Sequence, residues 1–207
     1  MSDFYQTNQF QSPPPAPKSG GGGNTLKILV AVFGGIAILI VLAVAFVGVV
    51  IARQMNDSAT TKTFTSTDGL TQVDAPENWV TNLDLNDVAS LELANVFSEN
   101  YVVVISETDA ELDNMSLDEY SSLIKTNMIS AMPSLTAGPW TSGASNGMNF
   151  KQCKLKGTLE GTGISYTLAC YEGARHMHQV LTWTATNRAT RNGPTLDKVQ
   201  KSFRETN

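Results

Sequence analysis

The chain has 207 residues, a formal net charge of −5 and 42% hydrophobic residues. That length leaves room for one domain of ordinary size beyond an atypical N-terminal region. No basic run is interleaved with aromatic residues, which excludes nucleic acid as a partner.

Residues 1–27 are polar and carry the run Pro13-Pro14-Pro15-Ala16-Pro17, followed by glycines from Gly20 to Gly23. Such a segment cannot bury enough apolar area to offset its ordering entropy, so a disordered cytoplasmic tail is expected. Its PxxP spacing reads as a spacer, with a docking site as the alternative. Residues 28–52, opening at Ile28 and closing at Ala52, contain no charge, and 17 of the 25 are Ile, Leu, Val or Phe. As a helix this stretch would be about 37 Å long, enough to cross a hydrocarbon core of about 30 Å. The expectation is one transmembrane helix, against the competing reading of a buried core helix. Lys18 and Lys27 on one side balance Arg53 and Lys62 on the other, so charge alone does not orient it. Residues 53–62 read as a linker and 63–207 as the folded domain.

Between positions 63 and 124 there are thirteen acids and no Lys or Arg, whereas positions 125–207 hold ten Lys/Arg and four acids. The default expectation is that the two halves neutralise each other across the fold. Short strands are predicted over 63–67 and 70–74, around a turn at Thr67-Asp68-Gly69, with Pro76 ending the second and Trp79 entering the core. Strands follow over 88–97 and 101–107, and the run Val102-Val103-Val104-Ile105 suggests a strand buried on both faces. Ser116-Leu117-Asp118-Glu119 is a capping box, and Leu117, Tyr120, Ile124, Met128 and Ala131 share one helical face up to Pro133. Residues 133–147 read as a loop. Three long strands are predicted over 148–159, 163–171 and 177–186. Asn192-Gly193-Pro194 reads as a break, and Thr195 as the cap of a final helix bearing Leu196, Val199 and Phe203. The pattern is α+β: an antiparallel sheet packed with helices.

Placing Gly161-Thr162 at a two-residue turn sorts the first two long strands into an apolar and a polar face. Leu159 then faces Ile164, Leu155 faces Leu168, Lys154 faces Ala169, and Cys153 faces Cys170. At a non-hydrogen-bonded position their Cα atoms would be about 4.5 Å apart, at the short end of disulfide geometry. A Cys153–Cys170 disulfide is therefore expected, adding about 3 kcal/mol and requiring an oxidising compartment. It is the reason for placing the domain outside the cell membrane. Two reduced core cysteines in a cytosolic domain are the competing reading.

Gly143-Ala144-Ser145-Asn146-Gly147 matches a nucleophile-elbow pattern, but an elbow needs a strand before it and a helix after it. Here a loop precedes and a strand follows, so Ser145 reads as a loop serine, and a hydrolase as an alternative only. His176 and His178 alternate on a strand without an evident third ligand, which favours an ordinary pair over a metal site. Asp109, Glu111 and Asp113 alternate like the start of a calcium loop. Asn114 stands where the turn glycine belongs and Tyr120 where the bidentate glutamate belongs, so an EF-hand is excluded. No cofactor fingerprint is present.

Gly69, Val73, Pro76 and Trp79, then Ser116-Leu117-Asp118-Glu119-Tyr120, then Leu196, Val199 and Ser202-Phe203 give residues 63–205 a resemblance to the PsbP-like family, including actinobacterial envelope proteins of the LpqN type. The resemblance implies an antiparallel sheet sandwiched between helices, and a non-catalytic accessory or binding module of a membrane or envelope complex. LpqN-type proteins usually carry a lipid on cysteine, where this chain has a membrane stretch. The resulting expectation is a single-pass protein with the membrane and an envelope protein as partners and no catalytic residues or cofactor. A carrier or sensor of a lipid or envelope glycan is the alternative.

Overall fold

The computed structural model describes residue 57 and residues 59–206. The tail 1–27 and the apolar stretch 28–52 lie outside the described residues. Among the described residues no helix is long and apolar enough to cross a membrane.

The chain forms β1 (Thr61–Thr65), β2 (Thr71–Pro76), β3 (Val80–Thr81), β4 (Leu91–Asn95) and β5 (Asn100–Thr108) before helix α1 (Leu117–Ala131). After it come β6 (Thr136–Ala137), β7 (Thr141–Ser145), β8 (Met148–Leu159), β9 (Thr162–Glu172) and β10 (His176–Ala185). Helix α2 (Ala189–Lys201) and β11 (Arg204–Glu205) close the described chain. The main antiparallel sheet runs β3-β4-β5-β10-β9-β8-β6, with β7 also paired to β8, and β1-β2-β11 form a second, three-stranded sheet.

Period-two alternation gives the main sheet two buried faces. Val103, Leu181, Leu168 and Cys153 are successive partners across four strands, and they lie in one core with Tyr120, Ile124 and Met128 of α1. Val104, Val180 and Ala169 form the matching row on the other face, in a core shared with Val73 of β2 and with Leu196, Val199 and Phe203. Val102, Val103 and Val104 are all buried, as a strand covered on both faces requires. The layers are thus α1, main sheet, then α2 with the small sheet.

Helix α1 starts where expected. The Ser116 hydroxyl accepts the Glu119 amide at 3.3 Å, and the Glu119 carboxylate accepts the Ser116 amide at 3.0 Å. Lys151–Asp118, Arg188–Glu99 and Arg204–Asp74 each join the basic second half to the acidic first half, so the halves do neutralise each other at these places. Arg204 holds the Asp74 carboxyl below its ordinary range by donating to it.

Three expectations are corrected. The β8–β9 turn is Glu160-Gly161, both with positive φ (48° and 82°), as a type I′ turn demands, and Leu159 pairs with Thr162. The register is therefore offset by two residues from the expected one. Each strand keeps its faces, but Cys153 faces Leu168 and Cys170 faces Lys151. The cysteines become diagonal neighbours, a relation that sets Cα atoms about 7–8 Å apart, beyond the usual reach of a disulfide. Both thiols are buried and free, and the expected Cys153–Cys170 bond is not formed. Second, the 133–147 stretch is not all loop: β6 and β7 cover the edge of β8. Third, α2 continues through Asn192-Gly193-Pro194. The buried Asn192 amide donates to the Ser98 carbonyl at 2.5 Å and to Thr184 Oγ1 at 2.8 Å. Thr190, whose carbonyl loses its helical partner to Pro194, is exposed to water.

Candidate functional site

Ser145 ends β7 and is followed by the Asn146-Gly147 turn and then strand β8, with no helix after it. Its hydroxyl donates to the Lys201 carbonyl at 3.2 Å and not to a histidine. The Asp109-Glu111-Asp113 stretch is a turn in which Glu111 folds back onto the Thr108 amide (2.9 Å) and hydroxyl (2.8 Å). These two bonds hold the Glu111 carboxyl below its ordinary range. Among the described residues no group of three or more His, Cys, Asp or Glu side chains is arranged to hold a metal ion.

The histidines instead meet two residues that sequence reasoning missed. His178 on β10 lies directly opposite Ser106 on β5, with Nδ1 2.9 Å from Ser106 Oγ. Its Nε2 lies 3.0 Å from Glu205 Oε1, and His176 Nδ1 lies 3.9 Å from the same oxygen. Glu205 also accepts the Ala174 amide at 3.0 Å. Burial is the main force holding the His178 imidazole below its ordinary range, opposed by Glu205. Burial works to raise Glu205, but the Ala174 amide and His178 outweigh it and hold the carboxyl below its ordinary range. An ionised Glu205 only accepts, so neutral His178 donates from Nε2 and accepts the Ser106 proton at Nδ1.

Ser106, His178 and Glu205 thus form a hydroxyl–imidazole–carboxylate chain, the order a nucleophile, base and orienting acid would have. The imidazole at its centre is enclosed, while Ser106 and Glu205 are partly exposed. His178 is fully buried and packs edge-on against Phe203, with ring centroids 5.3 Å apart. A Cβ on Gly173 would meet the Glu205 carboxylate and sit 2.9 Å from His178 Nε2, so the backbone there packs tightly against the imidazole–carboxylate end of the chain of bonds. The chain of bonds fastens β11 to the end of the main sheet. Sequence offered one signal for it, polar Ser106 and His178 beside the apolar runs of β5 and β10; Glu205 carried none, because its partner is 27 residues away.

Open space lies elsewhere, in a cleft of about 480 Å³ at the N-terminus of α1. Asp118, Ser142, Asn149, Phe150, Lys151 and Glu172 are among its lining residues; Ser106, His178, Glu205 and Ser145 are not. Lys151 binds Asp118 at 2.8 Å and Asn149 donates to Glu172 at 3.0 Å, so both signs of charge are displayed in fixed places. Phe150 lies over Gly143, where a Cβ would meet its ring at 2.7 Å.

No family model matches the chain, and no curated protein matches it. Solved structures do. The chain is similar to cyanobacterial PsbP (CyanoP) from Synechocystis at 12% identity, covering 72% of this chain and 94% of that one, with a TM-score of 0.52. It is also similar to LpqN of Mycobacterium tuberculosis at 9% identity, covering 72% and 91%, with a TM-score of 0.51. The fold is PsbP-like. A protein from Bacteroides thetaiotaomicron shares it at 11% identity, covering 70% of this chain and 48% of that one, with a TM-score of 0.50. The PsbP-like domain here begins at β1 and, as in the resemblance drawn from Trp79, Ser116–Tyr120 and Phe203, puts its helices on opposite faces of one sheet.

Proposed function

We propose that the protein is a single-pass membrane protein whose PsbP-like domain is a non-catalytic binding module for a membrane or cell-envelope protein. The cleft at the α1 N-terminus carries this reading. It is open and polar, with Lys151, Asp118 and Glu172 beside Phe150, which suits a protein surface bearing charge of both signs better than a lipid chain. Val88 is the one large hydrophobic residue exposed among the described residues, so an extensive apolar interface is not on offer. The membrane part of the proposal comes from the apolar stretch 28–52. The extracytoplasmic placement no longer draws on the cysteines. It draws on the likeness to LpqN, which is described as involved in cell envelope biogenesis.

Two experiments test this. A membrane-impermeant amine reagent added to whole cells should label the exposed Lys154 and Lys156; protection until lysis would put the domain inside. Crosslinking in intact membranes should capture a protein partner, and Lys151→Glu should abolish that capture while Lys154→Glu, on the other face of β8, leaves it. A co-purifying lipid with no protein partner would favour the carrier reading instead.

A further inference from the structure

The linker between membrane stretch and domain is not free along its whole length. Asp57 belongs to it, and its carboxylate is held by three side-chain donors of the domain. Oδ1 accepts from Trp79 Nε1 at 2.9 Å and from Asn95 Nδ2 at 2.9 Å, and Oδ2 accepts from Asn100 Nδ2 at 3.1 Å. The donors are built in. Asn95 and Asn100 are opposite partners at the β4–β5 turn and both fully buried, and Trp79 is 3% exposed. The Ser98 amide donates to Asn95 Oδ1 at 3.2 Å and so aims the Asn95 amide at Asp57. The three donors are uncharged, so the carboxylate brings the charge to the socket and its hydrogen bonds are the strong, charge-assisted kind. The Thr60 carbonyl then accepts the Glu77 amide at 2.9 Å, so the chain is docked again just before β1.

We propose that Trp79, Asn95 and Asn100 are a carboxylate socket that latches the juxtamembrane Asp57, holding the β4–β5-turn end of the domain against the membrane. This rests on the single-pass reading above. Four residues, 53–56, separate Ala52 from Asp57, and five Cα steps span at most about 18 Å. The socket therefore sits within that distance of the end of the apolar stretch. The β4–β5 turn, with Glu99 paired to Arg188 at 3.1 Å, faces the bilayer. Strand β5 runs from Asn100 to Thr108, so its far end is about 27 Å away at about 3.4 Å per residue. The cleft at the start of α1, which follows that far end, is turned toward the space beyond. Without the latch the tether would lengthen as far as the Thr60 bond, and the cleft would have no fixed height.

The test uses the full chain in lipid vesicles. Asp57→Ala removes both acceptor oxygens, and with them all three hydrogen bonds, without entering either core. Asp57→Asn is a graded control, because its carbonyl oxygen still serves Trp79 and Asn95. The first readout needs no membrane: the Trp79 indole N–H resonance, assigned with Trp79→Phe, should move upfield in Asp57→Ala as its acceptor is lost. The second is energy transfer to headgroup-labelled lipid from a dye at Asn187→Cys, near the turn, or at Ala110→Cys, at the far end; both positions are exposed, and the native thiols are buried. Transfer should be strong from position 187 and weak from 110, and Asp57→Ala should at least halve that contrast. An indole resonance unmoved by Asp57→Ala overturns the socket. A moved resonance with an unchanged contrast overturns the latch's role in orientation. A chain that fails to float with the vesicles sinks the membrane reading and the orientation with it, and leaves the socket to be judged on the resonance.

Discussion

Replacing Gly173 by alanine drives a methyl group into the Ser106–His178–Glu205 chain. The added carbon would lie 2.1 Å from Glu205 Oε1, which must move, and 2.9 Å from Nε2 of His178, which is fully buried and has nowhere to go. When Glu205 leaves, the His178 ring loses the acceptor for its Nε2–H inside the protein, a loss of about 1–3 kcal/mol. The Ala174 amide also loses its acceptor, but it lies at the surface and water replaces the bond at little cost. A destabilisation of about 2 kcal/mol corresponds to a fall in Tm of roughly 4–8 °C for a domain of this size. Thermal unfolding of the full chain in detergent, followed by near-UV circular dichroism, measures it. Glu205→Ala should cost a similar amount alone, and in that background Gly173→Ala should add less than about 1 kcal/mol, because the two changes break the same bond. Additive costs, or a Gly173→Ala protein as stable as the parent, would refute the claim that this chain of bonds holds β11 in place.

Acid should weaken the same fastening. His178 is held below its ordinary value of 6.5 chiefly by burial, against the opposing pull of Glu205 and Asp68 and with His176 adding to the depression. An unfolded chain takes up that proton first, so stability is full above about pH 6.5 and falls as pH drops toward the folded value, with the depressed Glu205 adding to the loss at lower pH. Urea midpoints at about pH 8 and about pH 5.5 should differ in that direction, and His178→Gln should flatten the slope. Burial pushes the Cys153 thiol up to about 11 and holds Cys170 well above its ordinary range, so both stay protonated at neutral pH. Alkylation of the native chain should be slow and reach two thiols only on denaturation; a chain isolated two hydrogens lighter, with its cysteines joined, would contradict the β8–β9 register. Asn192→Ala leaves Ser98 and Thr184 without the Asn192 amide, at a cost of about 2 kcal/mol. Hydrogen exchange over 189–194 should quicken before the rest of α2 responds.

The β8–β9 hairpin shows where pattern reading stops. Sorting apolar from polar side chains rejects a one-residue slip, since that turns every side chain over. It is blind to a slip of two, which leaves each residue on its own face. Cys153 and Cys170 thus appear on the expected face and one pairing step apart from each other. The turn made the choice: Glu160 and Gly161 both adopt positive φ, and placing a glutamate there is a cost local preference argues against. The Asn192-Gly193-Pro194 break fails for a similar reason. Local propensity forbids a helix that the buried Asn192 amide holds from outside.

Residue order alone determined the faces of the long strands, the capped start of α1, the doubly buried Val102–Val104 segment and the α+β class, because these depend on neighbours within a few positions. The tertiary structure decided the hairpin register, the edge strands β6 and β7, the course of α2, and the meeting of Ser106 with His178 and Glu205. It also decided that Asp57 reaches Trp79, Asn95 and Asn100. Apart from the hairpin register, set by its own turn, and the short β7–β8 hairpin, these rest on contacts between groups distant along the chain, which exist only after hydrophobic burial has brought their partners together.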